Sequence, residues 1–184
     1  MNVDPRLAAP GDLILLNGNM GLHGVAVMSV REGLEFGTRV ESDTAALHEL
    51  TLSLLGKAGS DVHVLRDPTR GGVASALNEI AESAQVGIDL EEETLPLTEE
   101  VRGACEMLGL DPLYVANEGK VLAFVAPASV ENALAVLRAH PLGKDATVIG
   151  RVTADHAGVV VMKSRIGGSR VVQMLSGEQL PRIC

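Results

Sequence analysis

Tryptophan is absent from these 184 residues, and the aromatic inventory is one tyrosine and two phenylalanines. Single-stranded nucleic acid is gripped by stacking its bases on several aromatic faces, so a stacking platform is excluded. Positive charge is also scarce: 15 Lys and Arg stand against 24 Asp and Glu, for a net charge of −9. Without a basic face to neutralise phosphates, nucleic-acid binding in general is argued against. Cysteine is limited to Cys105 and Cys184. Two are too few for a disulfide framework or for a zinc site, which takes three or four ligands at set spacings. Long hydrophobic runs are missing, and none approaches the ~18–20 apolar residues that span a bilayer. Met1-Asn-Val-Asp-Pro5 opens without the apolar core of a signal peptide. The expectation is a soluble, cytoplasmic protein with no membrane or nucleic-acid partner.

What remains is aliphatic. Hydrophobic residues make up 46% of the chain, so the core is built from Val, Leu, Ile and Ala. A single domain of this length buries roughly 70% of its unfolded surface without staples. Leu13-Ile-Leu-Leu16, Val62–Leu65, Val86–Leu90 and Val121–Val125 read as strands. Helices are predicted over Val25–Leu34, Asp43–Leu55 (capped by Asp43 and Thr44), Val73–Ala84, a segment opening at Thr98, and Ser129–Ala139. Three late strands follow at Ala146–Arg151, Gly158–Met162 and Arg170–Met174. This order predicts an α/β or α+β fold, a mixed β-sheet flanked by helices. Cys105 falls in a helical pattern and reads as a small core residue.

Asp67-Pro-Thr-Arg-Gly-Gly72 lies between a predicted strand and a helix N-terminus. Free backbone N–H groups and the positive end of the helix dipole gather there, which suits a phosphate. Paired Gly71 and Gly72 allow close approach, Arg70 adds a planar donor fork, and Asp67 can cap the loop or hold a metal-bound water. The same segment also reads as an Asp-Pro turn with glycines opening a tightly packed helix. No Gly-Lys-Ser/Thr follows, so it is not a Walker motif. Asn117-Glu-Gly-Lys120 precedes the apolar strand at Val121. It reads either as a solvated turn or as a site where Glu118 is a general base and Lys120 its charge partner. His23 sits in the glycine-rich loop Gly18–Gly24 and could meet a ligand. The other four histidines have no metal spacing.

The last residue is a thiol. Pro181-Arg182-Ile183-Cys184 ends the chain after a polar, turn-rich segment. From Ser176, nine extended residues reach roughly 30 Å. Arg182 sets a permanent positive charge beside the thiol, which favours the thiolate. A carrier role for Cys184 is compatible with that chemistry.

Leu65–Ala81, Tyr114–Lys120 and the terminal Pro-Arg-Ile-Cys together resemble the hydrogenase maturation family HypE, in the superfamily of aminoimidazole ribonucleotide synthetase and selenophosphate synthetase. The resemblance runs over essentially the whole chain, and the tail is its most specific element. It implies that residues 1–11 end an interdomain linker, that 12–175 form the synthetase-type C-terminal domain, and that 176–184 are a flexible tail. The family's N-terminal domain, which supplies most of the ATP and Mg²⁺ ligands and the dimer barrel, has no counterpart before Asp12. Leu22 stands where an Asp is expected.

By resemblance, Cys184 receives a carbamoyl group from HypF, and ATP drives its dehydration to a thiocyanate. The cyanide passes to an iron held by HypC and HypD, for a nickel–iron hydrogenase. The implied catalytic residues are Cys184, Glu118 and Lys120. Asp67, Thr69, Arg70, Gly71, Gly72 and Asn117 would face the ATP phosphates, and no metal ligand is assigned to this chain. The full-length protein would be a homodimeric carbamoyl dehydratase, with the isolated domain inactive. Two alternatives are an ATP-dependent amidine-forming or phosphotransfer enzyme of the same superfamily, and a docking module.

Overall fold

Leu13–Leu16 forms β1, four apolar residues with both faces covered. Ile14 and Leu16 point into one hydrophobic layer and Leu15 into another, the period-two consequence of the pleat. In this computed structural model, which describes residues 2–32 and 40–176, β1 lies third from one edge of a seven-stranded sheet. The remaining elements follow in chain order: α1 (Leu22–Glu32), α2 (His48–Ala58), β2 (Val62–Arg66), α3 (Gly72–Ala84), β3 (Gly87–Glu91), α4 (Glu99–Leu108), β4 (Leu122–Val125), α5 (Val130–Arg138), β5 (Thr147–Thr153), β6 (Val160–Lys163) and β7 (Ser169–Val172). The strand order is β2-β4-β1-β5-β3-β6-β7, antiparallel throughout except for the parallel β3/β6 pair. A mixed sheet with helices on both sides is the fold class that the sequence predicts.

The layers follow from side-chain alternation. Leu122 and Phe124 of β4 join Ile14, Leu16, Leu77 and Ile80 under α3, while Ala123 and Val125 join Leu15, Leu50, Leu54, Leu134 and Leu137 under α2 and α5. A bulge at His63 keeps β2 in phase: Val62 pairs with Val125, yet Val64 pairs with Phe124. The extra residue lets Val62 and Val64 enter opposite layers. A third, smaller cluster joins α1 to α4 through Val25, Met28, Val101, Ala104 and Cys105.

Thr98 caps α4 as read, accepting a hydrogen bond from the Val101 N–H at 3.3 Å. The helix expected from Asp43 starts instead at His48, after Leu47, with no side-chain cap. Asp43 and Thr44 cannot cap it because their side chains are committed elsewhere, to Lys120 and to His23. Helix α1 begins three residues earlier than expected, and Leu34 lies outside the described residues, as does the tail from 177 to Cys184.

Candidate functional site

Two turns and two loops meet at the mouths of β2, β4 and β1. In the first turn, between β2 and α3, Thr69 Oγ1 donates to Asp67 Oδ2 at 2.9 Å, closing the loop on itself while leaving the carboxylate at the surface. Gly71 and Gly72 both have positive φ, 68° and 62°, which costs other residues strain. Gly72 has a further reason. A Cβ there would meet the Leu113 carbonyl oxygen at 2.4 Å and that of Val115 at 2.7 Å, so the 113–115 turn lies directly on its Cα. The Gly72 N–H donates to the Thr69 carbonyl at 3.4 Å; the next first-turn amides of α3 have no intrahelical acceptor, Arg70 is exposed beside them, and together they suit an anion.

The second turn is Asn117–Lys120. Asn117 is 2% exposed and its side chain is spent inside the protein. Its Oδ1 accepts from the Gly21 N–H at 2.7 Å, and its Nδ2 donates to the carbonyls of Pro68 at 3.2 Å and Val115 at 3.0 Å. The residue therefore ties the Asp67 loop to the glycine-rich loop, rather than presenting an amide to a ligand. Glu118 is half-buried and, among the described residues, makes no hydrogen bond or ion pair. Lys120 is 8% exposed and pairs with Asp43. The expected Glu118–Lys120 charge pair is thus replaced by an Asp43–Lys120 pair, because the segment before α2 crosses the turn. Asp43 O and Ala45 N would stand 2.4 and 2.8 Å from a Cβ on Gly119, whose φ is +70°.

Asn17, just before the glycine-rich loop, supports the second turn. Asn17 Nδ2 donates to the carbonyls of Gly119 at 3.3 Å and Leu142 at 2.8 Å, and its Oδ1 accepts from the Val121 N–H at 2.8 Å. His23, which from its place in this loop could meet a ligand, shares hydrogen bonds through Nδ1 with Ser42 at 2.8 Å and Thr44 at 3.2 Å. The sequence assigns Asn17 and Ser42 no role here and Asp43 only that of a helix cap, since only contacts across tens of residues reveal them. Asn17, Asn19, Asp43, Lys120, Leu142 and Lys144 are among the residues around a cleft of about 190 Å³.

The sequence-predicted residues Asp67, Thr69, Arg70, Gly71, Gly72, Asn117, Glu118 and Lys120 therefore belong to two turns joined at Pro68 and Asn117. Cys184 lies outside the described residues. The last described residues lie beside this site: Tyr114 Oη donates to the Gln173 carbonyl at 2.8 Å, and Leu175 Cδ2 would stand 3.5 Å from a Cβ on Gly71. Cys105 is no nucleophile. It is 2% exposed, and burial, then Asp111 and Glu106, push its thiol up to about 11. Among the described residues no three His, Cys, Asp or Glu side chains converge to hold a metal.

Residues 9–163 match the family model described as AIR synthase related protein, C-terminal domain. The chain belongs to that family. Within it, the chain is similar to the carbamoyl dehydratase HypE of Rhizobium leguminosarum bv. viciae, 54% identical over 177 residues, covering 96% of this chain and 51% of the relative. It also matches a crystal structure of the hydrogenase maturation protein HypE in complex with ATP, with a TM-score of 0.92 and 48% identity over 99% of this chain and 55% of that one. A HypE–HypF complex structure matches with a TM-score of 0.90 and 46% identity over 94% of this chain and 55% of that one. This AIR synthase related domain thus spans about half the length of the relatives it matches. Among its described residues no helix is long and apolar enough to cross a membrane.

Proposed function

We propose that this chain is the C-terminal part of a carbamoyl dehydratase that converts an S-carbamoyl group on Cys184 to a thiocyanate at the expense of ATP, supplying cyanide for a nickel–iron hydrogenase. The observation that carries the reading is the place of the last described residues. Leu175 packs at Gly71, on the loop that suits phosphate, and Asn117 bonds that loop to the turn bearing Glu118 and Lys120. From Ser176, eight further residues extend about 27 Å, enough to bring Cys184 back to that turn or out to a partner.

The chemistry matches the residues. A carbamoyl oxygen is a poor leaving group until it takes the γ-phosphoryl group of ATP. Loss of phosphate, with both N–H protons removed over the two steps, then leaves S–C≡N, ADP and phosphate. Glu118, without a hydrogen-bond partner among the described residues, is the base for those protons. Lys120 supplies positive charge where the oxygen becomes anionic. Arg70 and the first-turn amides of α3 face the phosphates, with Thr69, Gly71, Gly72 and Asn117 shaping that loop.

The donor set fits a shared nucleotide site. Asp67 offers one surface carboxylate, and Mg²⁺ is commonly held by one or two carboxylates together with substrate phosphates. Mg²⁺ would neutralise phosphate charge there; most of its ligands would come from the N-terminal part of the full-length protein. ATP binding and HypF as a partner are supported by the relatives' complexes; HypF as carbamoyl donor, a HypC–HypD acceptor and a homodimer complete the proposal.

Mass spectrometry of the C-terminal peptide tests it. In the full-length protein bearing this chain, carbamoylated Cys184 is expected to become cyano-Cys184 with ATP. Glu118→Gln is expected to accumulate the carbamoyl form. Normal conversion in that variant would reduce Glu118 to a turn residue.

A further inference from the structure

Lysine is seldom buried without a partner, and Lys120 is nearly buried at the rim of the cleft. Its ammonium meets the Asp43 carboxylate, the two side chains being 9% and 23% exposed. A second contact, to the Gly119 carbonyl, is long at 3.5 Å. An ammonium has three N–H donors, so one remains for an oxygen acceptor in the cleft.

Asp43 is itself held from both sides. His23 Nδ1 reaches Ser42 Oγ at 2.8 Å and Thr44 Oγ1 at 3.2 Å, and the two hydroxyls are 2.8 Å apart. The missing side chain of Gly119 lets this short strap cross the turn. Strap, histidine and turn come from three separate stretches of chain, yet they converge on one ammonium.

We propose that Asp43 is a positioning residue: pinned by His23 through Ser42 and Thr44, it fixes the Lys120 ammonium at the cleft, leaving the Glu118 carboxylate, unpaired among the described residues, for substrate. The catalytic consequence rests on the dehydratase reading, whereas the placement of Lys120 does not. Removing the Asp43 carboxylate frees the ammonium to swing, and misplacement by about 1 Å can cost on the order of 100-fold in rate.

Two measurements on the full-length protein test this. In single-turnover conversion of carbamoyl-Cys184, Asp43→Asn is expected to slow the reaction about 10- to 100-fold. The KM for ATP should stay within about threefold, and Asp43→Glu should recover part of the rate. In a Lys120→Met background, Asp43→Asn should add no further loss, as for residues acting through one another. Reductive methylation followed by peptide mass spectrometry should label Lys120 slowly in the unmodified protein and several-fold faster in Asp43→Asn, with exposed Lys144 as reference. Unchanged labelling, an unchanged rate, or additive losses in the double variant would overturn the proposal. If the unmodified protein converts no carbamoyl group, the dehydratase reading fails, and labelling alone then decides the placement of Lys120.

Discussion

Asn117 is bonded twice to the carbonyl of Pro68, once through its backbone N–H and once through its side-chain amide, both at 3.2 Å. The Asp67 loop and the Glu118 turn are therefore one unit, and the Gly21 N–H extends that unit to the glycine-rich loop. Asn117 bridges three backbone segments that are far apart in sequence.

Truncating the bridge is expected to loosen all three. Asn117→Ala leaves the Val115 carbonyl and the Gly21 N–H without their side-chain partner in a buried setting, and each orphaned group costs about 1–3 kcal/mol. Urea unfolding should show a loss of at least about 2 kcal/mol. Asn117→Asp should be no better, because it turns an oxygen toward the carbonyls of Pro68 and Val115. A loss below about 0.5 kcal/mol would mean that water replaces the amide.

Two glycines should respond in opposite ways. At Gly72, positive φ alone costs an alanine about 1–2 kcal/mol, and its methyl would collide with the Leu113 and Val115 carbonyls. Gly72→Ala is expected to destabilise the chain by about 3 kcal/mol or more. Gly56 sits in α2 with nothing within 4 Å of an added Cβ. Gly56→Ala should stabilise by about 0.5–1 kcal/mol. Thermal melts of both variants check the contrast.

Local chemistry was legible where neighbours in sequence decide the outcome. Thr98 reads as a cap and is one, and the apolar run of β1 reads as a strand covered on both faces. The paired glycines at 71 and 72 signal close approach. The surface that approaches, the 113–115 turn, cannot be read from that segment. Asp43 shows the limit most clearly. Followed by Thr44 and a leucine pattern it has every mark of a helix cap, yet a lysine 77 residues away claims its carboxylate and the helix starts at His48. Asn17 and His23 are likewise assigned by partners that only the fold brings near. The terminal motif and the loop patterns pointed to the family, while the support around the turns had to come from three dimensions.

Cys105 makes stability depend on alkaline pH. Burial, then Asp111 and Glu106, raise its thiol from 9.0 to about 11, so the fold favours the protonated form. That contribution is complete below about pH 9, declines as pH rises, and is lost above about pH 11. Tyr114 is shifted upward as well, chiefly by burial, and acts in the same direction. Denaturant midpoints between pH 8 and pH 11 should fall more steeply for the unmodified chain than for Cys105→Ala. Parallel profiles would show that the thiol does not titrate with unfolding.

The two thiols should separate cleanly in reactivity. At pH 8 the buried Cys105 is almost wholly protonated, so an alkylating reagent should modify it only after unfolding. Cys184, if it carries a carbamoyl group between a donor protein and the turn at Glu118, must meet reagents in the native protein. Peptide mapping after brief iodoacetamide treatment should therefore find modified Cys184 and intact Cys105. Cys184→Ser should abolish formation of the cyano group in the full-length protein, because a serine hydroxyl lacks the thiolate's nucleophilicity and does not take up the carbamoyl group. The same variant should leave the urea midpoint of the chain nearly unchanged. A Cys184 that resists the reagent under every nucleotide condition, or a Cys184→Ser protein that still yields a cyano group, would show that the group is carried elsewhere.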